Sequence, residues 1–384
     1  MRTHHARILL AGSAAVLATA LGAAPALAAA TWTIRPGGET AAKSGRAILR
    51  DAQGRVITRA VRRPSGHGSA ARVRRSGQID QFNEFNGVAA LSATDAWAVG
   101  NACKSGCGLI EAAGSTLIAR WNGTRWTRVS SPNKGNSFLA GVAAASSSDI
   151  WAAGTSGGGN AFTLHWNGTA WSIVPSPAKG PASSLAGVAA VSGSDAWAAG
   201  YYCPSSSCST FRTLILHWNG TAWTQVPSPN PDPSGFPALS AVTATSGTDA
   251  WAVGTRCISG CGTGANVFQA LLLHWNGNTW SQVPSPSTNV PFLFGAAAAS
   301  RTSAWAVGTD IHFKSVILHW NGTKWSTVPS PNPVPVATLL RGAAATSPSD
   351  AWAVGYGGPL GGAGSTVILH WNGTAWSAVK SPNP

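Results

Sequence analysis

From about residue 85 onward, short apolar runs alternate with clusters of Gly, Ser, Asn and Pro, and the alternation repeats about every fifty residues. The third copy shows the pattern clearly. Leu185–Val191 is apolar and built from small residues, and Ser192–Asp195 follows as a turn. Ala196–Gly200 then sets Trp197 and Ala199 on one face and alanines on the other, which is strand periodicity. After a variable stretch, Thr213–Trp218 is a near-continuous apolar run, as expected of a strand covered on both sides. Asn219-Gly220 then predicts a type I′ hairpin, and Trp223–Val226 a fourth strand that stops at Pro227-Ser228-Pro229.

Two phrases mark every copy. Asp-x-Trp-Ala-(Ala/Val)-Gly carries Asp95 and Trp97, Asp149 and Trp151, Asp195 and Trp197, Asp249 and Trp251, and Asp350 and Trp352. In the fifth copy Ser303 replaces the Asp ahead of Trp305. Trp-Asn-Gly-(Thr/Asn)-x-Trp begins at Trp121, Trp166, Trp218, Trp275, Trp320 and Trp371. The first-phrase Trp residues stand 54, 46, 54, 54 and 47 apart. Four short strands per fifty residues, six times over, predicts an all-β fold, a β-propeller of four-stranded antiparallel blades. Six blades are expected across 85–384, in repeats at about 85–133, 134–178, 179–230, 231–287, 288–332 and 333–384. A seventh blade drawn from residues 31–84 is the alternative.

These two phrases resemble the blades of secreted bacterial propellers of the kelch, Asp-box and photosystem-assembly-factor kind, which set a Gly after an aromatic strand and close a hairpin with Thr-x-Trp. The hairpin reads Trp-Asn-Gly-Thr where the full Asp-box has an Asp before its Gly, so the match is partial. The resemblance implies the fold; propellers host lectins, enzymes and scaffolds alike.

Composition narrows the function. Of 384 residues, 12 are acidic and 10% are charged, against roughly 25% in an average domain. Five acids are the phrase Asp residues, read as caps of the turn between first and second strands. Few carboxylates remain for acid–base chemistry, and glycoside hydrolysis usually takes a pair. No catalytic residue and no cofactor is assigned. Five His share one third-strand position (His165, His217, His274, His319 and His370). That strand lies too far from the axis for them to share an ion, so no metal is assigned and a structural role is expected.

The connection between second and third strands varies most. Counted from first-phrase Trp to second-phrase Trp, it runs 24, 15, 21, 24, 15 and 19 residues. Three of these connections carry a Cys pair: Cys103/Cys107, Cys203/Cys208 and Cys257/Cys261. Three local disulfides are expected. A constant scaffold with variable loops on one face is the usual build of a binding surface. The candidate residues there are Tyr201, Tyr202, Phe211, Arg212 and Arg256, together with Phe268, Asp310, His312, Phe313 and Tyr356.

The N-terminal part is of another kind. Arg2 and Arg7, an apolar stretch from Ile8 to Leu27 and small residues at Ala28 and Ala30 read as a signal peptide over residues 1–30, with cleavage near either Ala. No later segment approaches the roughly 18 apolar residues of a membrane span. Residues 31–84 carry a net charge of +7 among Gly, Ser and Ala and read as a basic arm able to hold an anionic cell-wall polymer. Altogether the sequence reads as a secreted, non-catalytic module for an extracellular protein or glycan, with nucleic acid disfavoured. A glycan-active enzyme and a purely structural envelope module are the alternatives.

Overall fold

The computed structural model describes residues 82–103, 114–177, 179–231, 235–261, 267–287, 289–359 and 364–381, and the pairing of Leu49–Arg50 with Val56–Ile57. The signal-peptide reading of residues 1–30, most of the basic arm, and Cys107 lie outside the described residues. Every described element is a strand. Residues 82–379 form six antiparallel four-stranded sheets, each joined in simple sequence order, and these are the blades of a ring. Blade 3 is Ala182–Ser192, Asp195–Cys203, Arg212–Trp218 and Trp223–Gln225, close to the strands read from its sequence. The first blade opens at Phe82, three residues ahead of the expected boundary at 85.

The first phrase is explained residue by residue. Its Trp is fully buried in five blades and crosses to the next one, where it sits between the two hairpin Trp residues. Trp197 lies 5.1 Å from Trp275 and 5.4 Å from Trp280, centroid to centroid. Trp97, Trp151, Trp251 and Trp305 repeat the arrangement at 4.8–5.5 Å. The phrase Asp does not cap its turn as expected. Instead its Oδ1 meets the third-strand imidazole Nε2, at 2.6 Å for Asp149–His165, 2.9 Å for Asp195–His217 and 2.8 Å for both Asp249–His274 and Asp350–His370. The turn amides go to serine hydroxyls, as where Ser194 N donates to Ser192 Oγ. Each His thereby lies flat on its blade's phrase Trp, 4.1–4.4 Å away. Blade 1 substitutes Arg120, which pairs with Asp95 and covers Trp97. Blade 5 pairs His319 with Ser303. Burial lowers the His319 pKa.

The hairpin between third and fourth strands differs from the type I′ expectation. In blade 3, Trp218 pairs with Trp223, which leaves a four-residue loop. Gly220 takes φ 93° while Asn219 stays out of the left-handed region. Asn219 instead turns its Oδ1 inward to accept from Thr221 N, Thr221 Oγ and Ala222 N, a side-chain cap that replaces the second left-handed residue.

The seam between blades 6 and 1 differs from the other five. Trp352 is 37% exposed where its five counterparts are 0% exposed, and Val354 beside it is 42% exposed. Across the gap, Val88 of blade 1 is 62% exposed. Inner-strand glycines approach across the neighbouring seams, as Gly141 does Gly187 and Gly295 does Gly342, but a Cβ on Gly342 would meet only Val354 of its own blade and nothing of blade 1.

Candidate binding site at the axial mouth

The last residue of the first phrase builds the centre of the molecule. A Cβ on Gly200 would stand 1.9 Å from the Ser184 carbonyl oxygen, and the equivalent glycines of the other blades would meet the inner-strand carbonyl at 1.8–2.0 Å. The close approach belongs to a β-bulge. Beside this glycine all six inner strands skip one residue in their pairing with the second strand, apart from a second skip at the turn: Asn86, Ala140, Ala186, Ser240, Phe294 and Arg341. A bulge re-aims the extra side chain. Ala140, Ala186, Ser240 and Phe294, from four successive blades, line one pocket, so the bulge residues converge on the axis.

This pocket is small, with a cavity volume of about 30 Å³. Its wall is mostly apolar: Leu185, Tyr201, Phe236, Leu239, Phe268, Phe292 and Phe294, with Ser184, Ser240 and Thr255 supplying hydroxyls. Phe268 packs on Phe292 at 5.5 Å, and both belong to a cluster with Cys257, Phe294 and Phe236. Cys257–Cys261 and Cys203–Cys208 are disulfides, and both staple second-to-third connections. Cys103 is also disulfide-bonded, while its expected partner Cys107 lies outside the described residues.

Of the ten residues expected on this face, the structure brings three to the pocket. Tyr201 and Phe268 line it, and Phe211 backs it, 4.7 Å from Tyr201 and 5.5 Å from Phe236. Burial pushes the Tyr201 hydroxyl up to about 12, against a hydrogen bond with Ser184 that lowers it. Tyr356 stands near a different axial residue, with the Arg341 guanidinium 6.0 Å from its ring. Tyr202 alternates to the other side of its strand beneath the Lys179 ammonium, and Arg212 is its cross-strand partner. Arg256 donates to Gln269 Oε1 at 2.6 Å. The Asp310 carboxylate is spent on its own loop, and His312 and Phe313 enter the hydrogen bonding there through their backbones. Asp310 Oδ1 accepts from His312 N and Lys314 N at 2.8 Å each, and the Phe313 carbonyl accepts from Thr338 N.

Sequence reasoning missed the bulge residues, together with Phe236 and Phe292. The signal was there: five of the six inner strands run into a nearly constant (Gly/Ala)-x-Ala-Ala/Thr stretch, yet the residue just before it is in turn Asn, Ala, Ala, Ser, Phe and Arg. Reading strands as strictly alternating hides such a position, because the bulge breaks the alternation there.

Arg341 and Glu84 carry the charge at this level. The Arg341 guanidinium lies 4.3 Å over the Phe294 ring, and its buried Nε has no hydrogen-bond partner. Burial lowers its pKa, with Tyr356 acting in the opposite sense. Glu84 occupies in blade 1 the position of Ser184 in blade 3, and burial raises its carboxyl to about 7. Among the described residues, no cluster of three or more His, Cys, Asp or Glu could hold a metal ion. No helix among them is long and apolar enough to cross a membrane.

No family model and no curated protein matches the sequence. Solved structures match the fold. The WD40 repeats of RRP9 share 9% identity at a TM-score of 0.50, over 77% of this chain and 79% of that one. The fungal lectin of Aleuria aurantia, a six-bladed β-propeller that recognises fucose, shares 15% at 0.49, over 77% and 94%. YCF48 bound to a D1 peptide shares 14% at 0.48, over 78% and 83%. At these identities the likeness speaks for the architecture and for nothing more specific.

Proposed function

We propose that this chain is an exported, non-catalytic binding module that takes a protein or glycan partner at the axial mouth on its variable-loop face. The observation that carries the reading is the ring of bulge residues. Each of six similar inner strands sets out one bulge residue, four of these line one pocket, and the residue at that position changes from Asn to Ala, Ser, Phe and Arg over the six copies. A repeated scaffold that carries variable residues at a point of convergence suits recognition. The disulfides that staple the loops fit an oxidising compartment, in keeping with the expected signal peptide.

The test is to screen purified protein against glycan and peptide arrays and map any hit by hydrogen exchange. Protection at Tyr201, Phe268 and Phe294 is the expected outcome; protection confined to the Asn-Gly turn face refutes the assignment. One observation favours a second reading, a glycan-active enzyme. A carboxyl raised to about 7 at the mouth is poised for proton transfer, and Glu84 is such a group. Turnover of oligosaccharides abolished by Glu84→Gln would select that reading instead.

A further inference from the structure

Among the described residues, the contacts of Arg341 are with aromatic rings, and none is with a carboxylate. Its guanidinium lies over Phe294 and within reach of Tyr356, and its Nε is sealed from solvent without an acceptor. Most of the described acids are engaged elsewhere. The phrase Asp residues are held by His or Arg of the third strands, and Asp310 closes its own loop. Burial raises the Glu84 carboxyl, and no ion pair joins it to Arg341 among the described residues. A buried guanidinium without a counter-ion is costly, and a ligand that brings a carboxylate removes that cost.

Resting on the binding-module reading above, we infer that the axial mouth takes a peptide carboxylate on Arg341 and seats the adjoining apolar side chain in the pocket behind Phe294. Phe294 belongs to both halves, since it carries the guanidinium and lines the pocket. The lining favours peptide over sugar. A sugar ring asks for several hydrogen bonds at once, whereas this wall is mostly Phe, Leu and Ala, with the hydroxyls of Ser184, Tyr201, Ser240 and Thr255, the Tyr201 and Ser184 groups bonded to each other. An apolar side chain next to a carboxylate matches both features. The carboxylate can come from a chain terminus or from Asp or Glu, and the experiment separates the two.

The probe is an array of short peptides pairing Leu, Phe or Trp with Asp or Glu, each synthesised with a free and an amidated C-terminus and with Asn or Gln replacing the acid. Uronic-acid and neutral oligosaccharides are run alongside. Peptides with both features should bind. Loss on amidation marks the terminus as the source, and loss on Asn/Gln replacement marks the side chain. Arg341→Gln should weaken binding by about tenfold or more, Arg341→Lys by less, and raised salt should weaken the wild type. Thermal unfolding and near-UV circular dichroism check that the variants keep the fold.

Three results overturn the inference: peptide binding indifferent to Arg341→Gln, binding of uronic-acid sugars without peptides, or no peptide bound at millimolar concentration. A fourth is energetic coupling of Glu84→Gln with Arg341→Gln in the unliganded protein, which would make the two an internal ion pair. A ligand that protects the mouth but ignores Arg341→Gln leaves the module reading standing and removes this one alone.

Discussion

Trp352 and Trp251 occupy the same place in two copies of one phrase, yet their substitution by Ala should differ in cost by about 2 kcal/mol. Trp251 is fully buried between Trp320 and Trp325 of the next blade, and burying an aromatic of this size stabilises enough that Trp→Ala costs about 3–5 kcal/mol. Trp352 stacks on His370 of its own blade, but 37% of it remains exposed. On a side chain of about 250 Å², that exposure is roughly 90 Å² of surface left in water, or about 2 kcal/mol at 25 cal/mol/Å². The cost of Trp352→Ala should therefore be about 1–3 kcal/mol. Equilibrium urea unfolding of the two variants measures the difference, and acrylamide quenching of wild type against Trp352→Phe reports the exposure independently. The socket Trp352 would use is present, because Trp121 and Trp126 of blade 1 form the same hairpin pair, 5.8 Å apart, that receives the phrase Trp at the other seams. Equal costs for the two variants would mean that the sixth seam is packed like the rest in solution, and the reasoning from exposure would fail.

Gly200→Ala should destabilise by about 1–3 kcal/mol or more in thermal melts, since its methyl must displace the Ser184 carbonyl at 1.9 Å, whereas Gly193→Ala, on the turn face, should cost less. Replacing Cys257 and Cys261 by Ser opens a short loop and should cost about 2 kcal/mol, with hydrogen exchange rising at Phe268 and Phe292 and little changed in blade 2. Because the folded-state pKa of Glu84 is raised from 4.5 to about 7, the folded protein binds this proton more tightly than the unfolded chain does. Glu84 should therefore add about 3 kcal/mol of stability on acidification, present in full below pH 4.5 and lost as pH rises through 7. The difference between wild type and Glu84→Gln in urea midpoints from pH 4 to 9 isolates the effect, and a flat difference contradicts it.

How much of this was legible follows from what repetition reveals. Blade number, strand order and the loop face could be read because each copy restates them, and a turn or apolar run seen six times is not an accident of composition. The partner of the phrase Asp was harder, because Asp in a turn usually serves backbone amides. Here the serines before it already do that, which freed the carboxylate for the third strand. Yet the copies held the clue: where His becomes Arg120 the Asp stays, and where Asp becomes Ser303 the His stays, so either partner can be exchanged for another polar group that bonds across the two strands. The loop-face list erred in the opposite direction. It chose conspicuous side chains in variable loops, and Asp310 shows why that misleads: a lone acid in a tight loop is as easily consumed by the loop's own amides.

The axial site escaped notice because it arises from backbone geometry. The phrase Gly admits an inner-strand carbonyl that any side chain would exclude, and admitting it permits the bulge. The bulge re-aims one residue per blade, four of these line the axial pocket, and the residue there differs from copy to copy. Phrase Trp, Asp and Gly thus hold five seams, the third strands and the axis respectively, and the Trp and Gly recur in every copy while the Asp gives way once, to Ser303. What scaffold packing does not require to be alike is the residue delivered by the bulge, and in blades 5 and 6 that freedom has produced a Phe with an Arg laid over it. The pair is therefore the place to look for recognition, since a ring of six small residues would have kept the axis closed just as well.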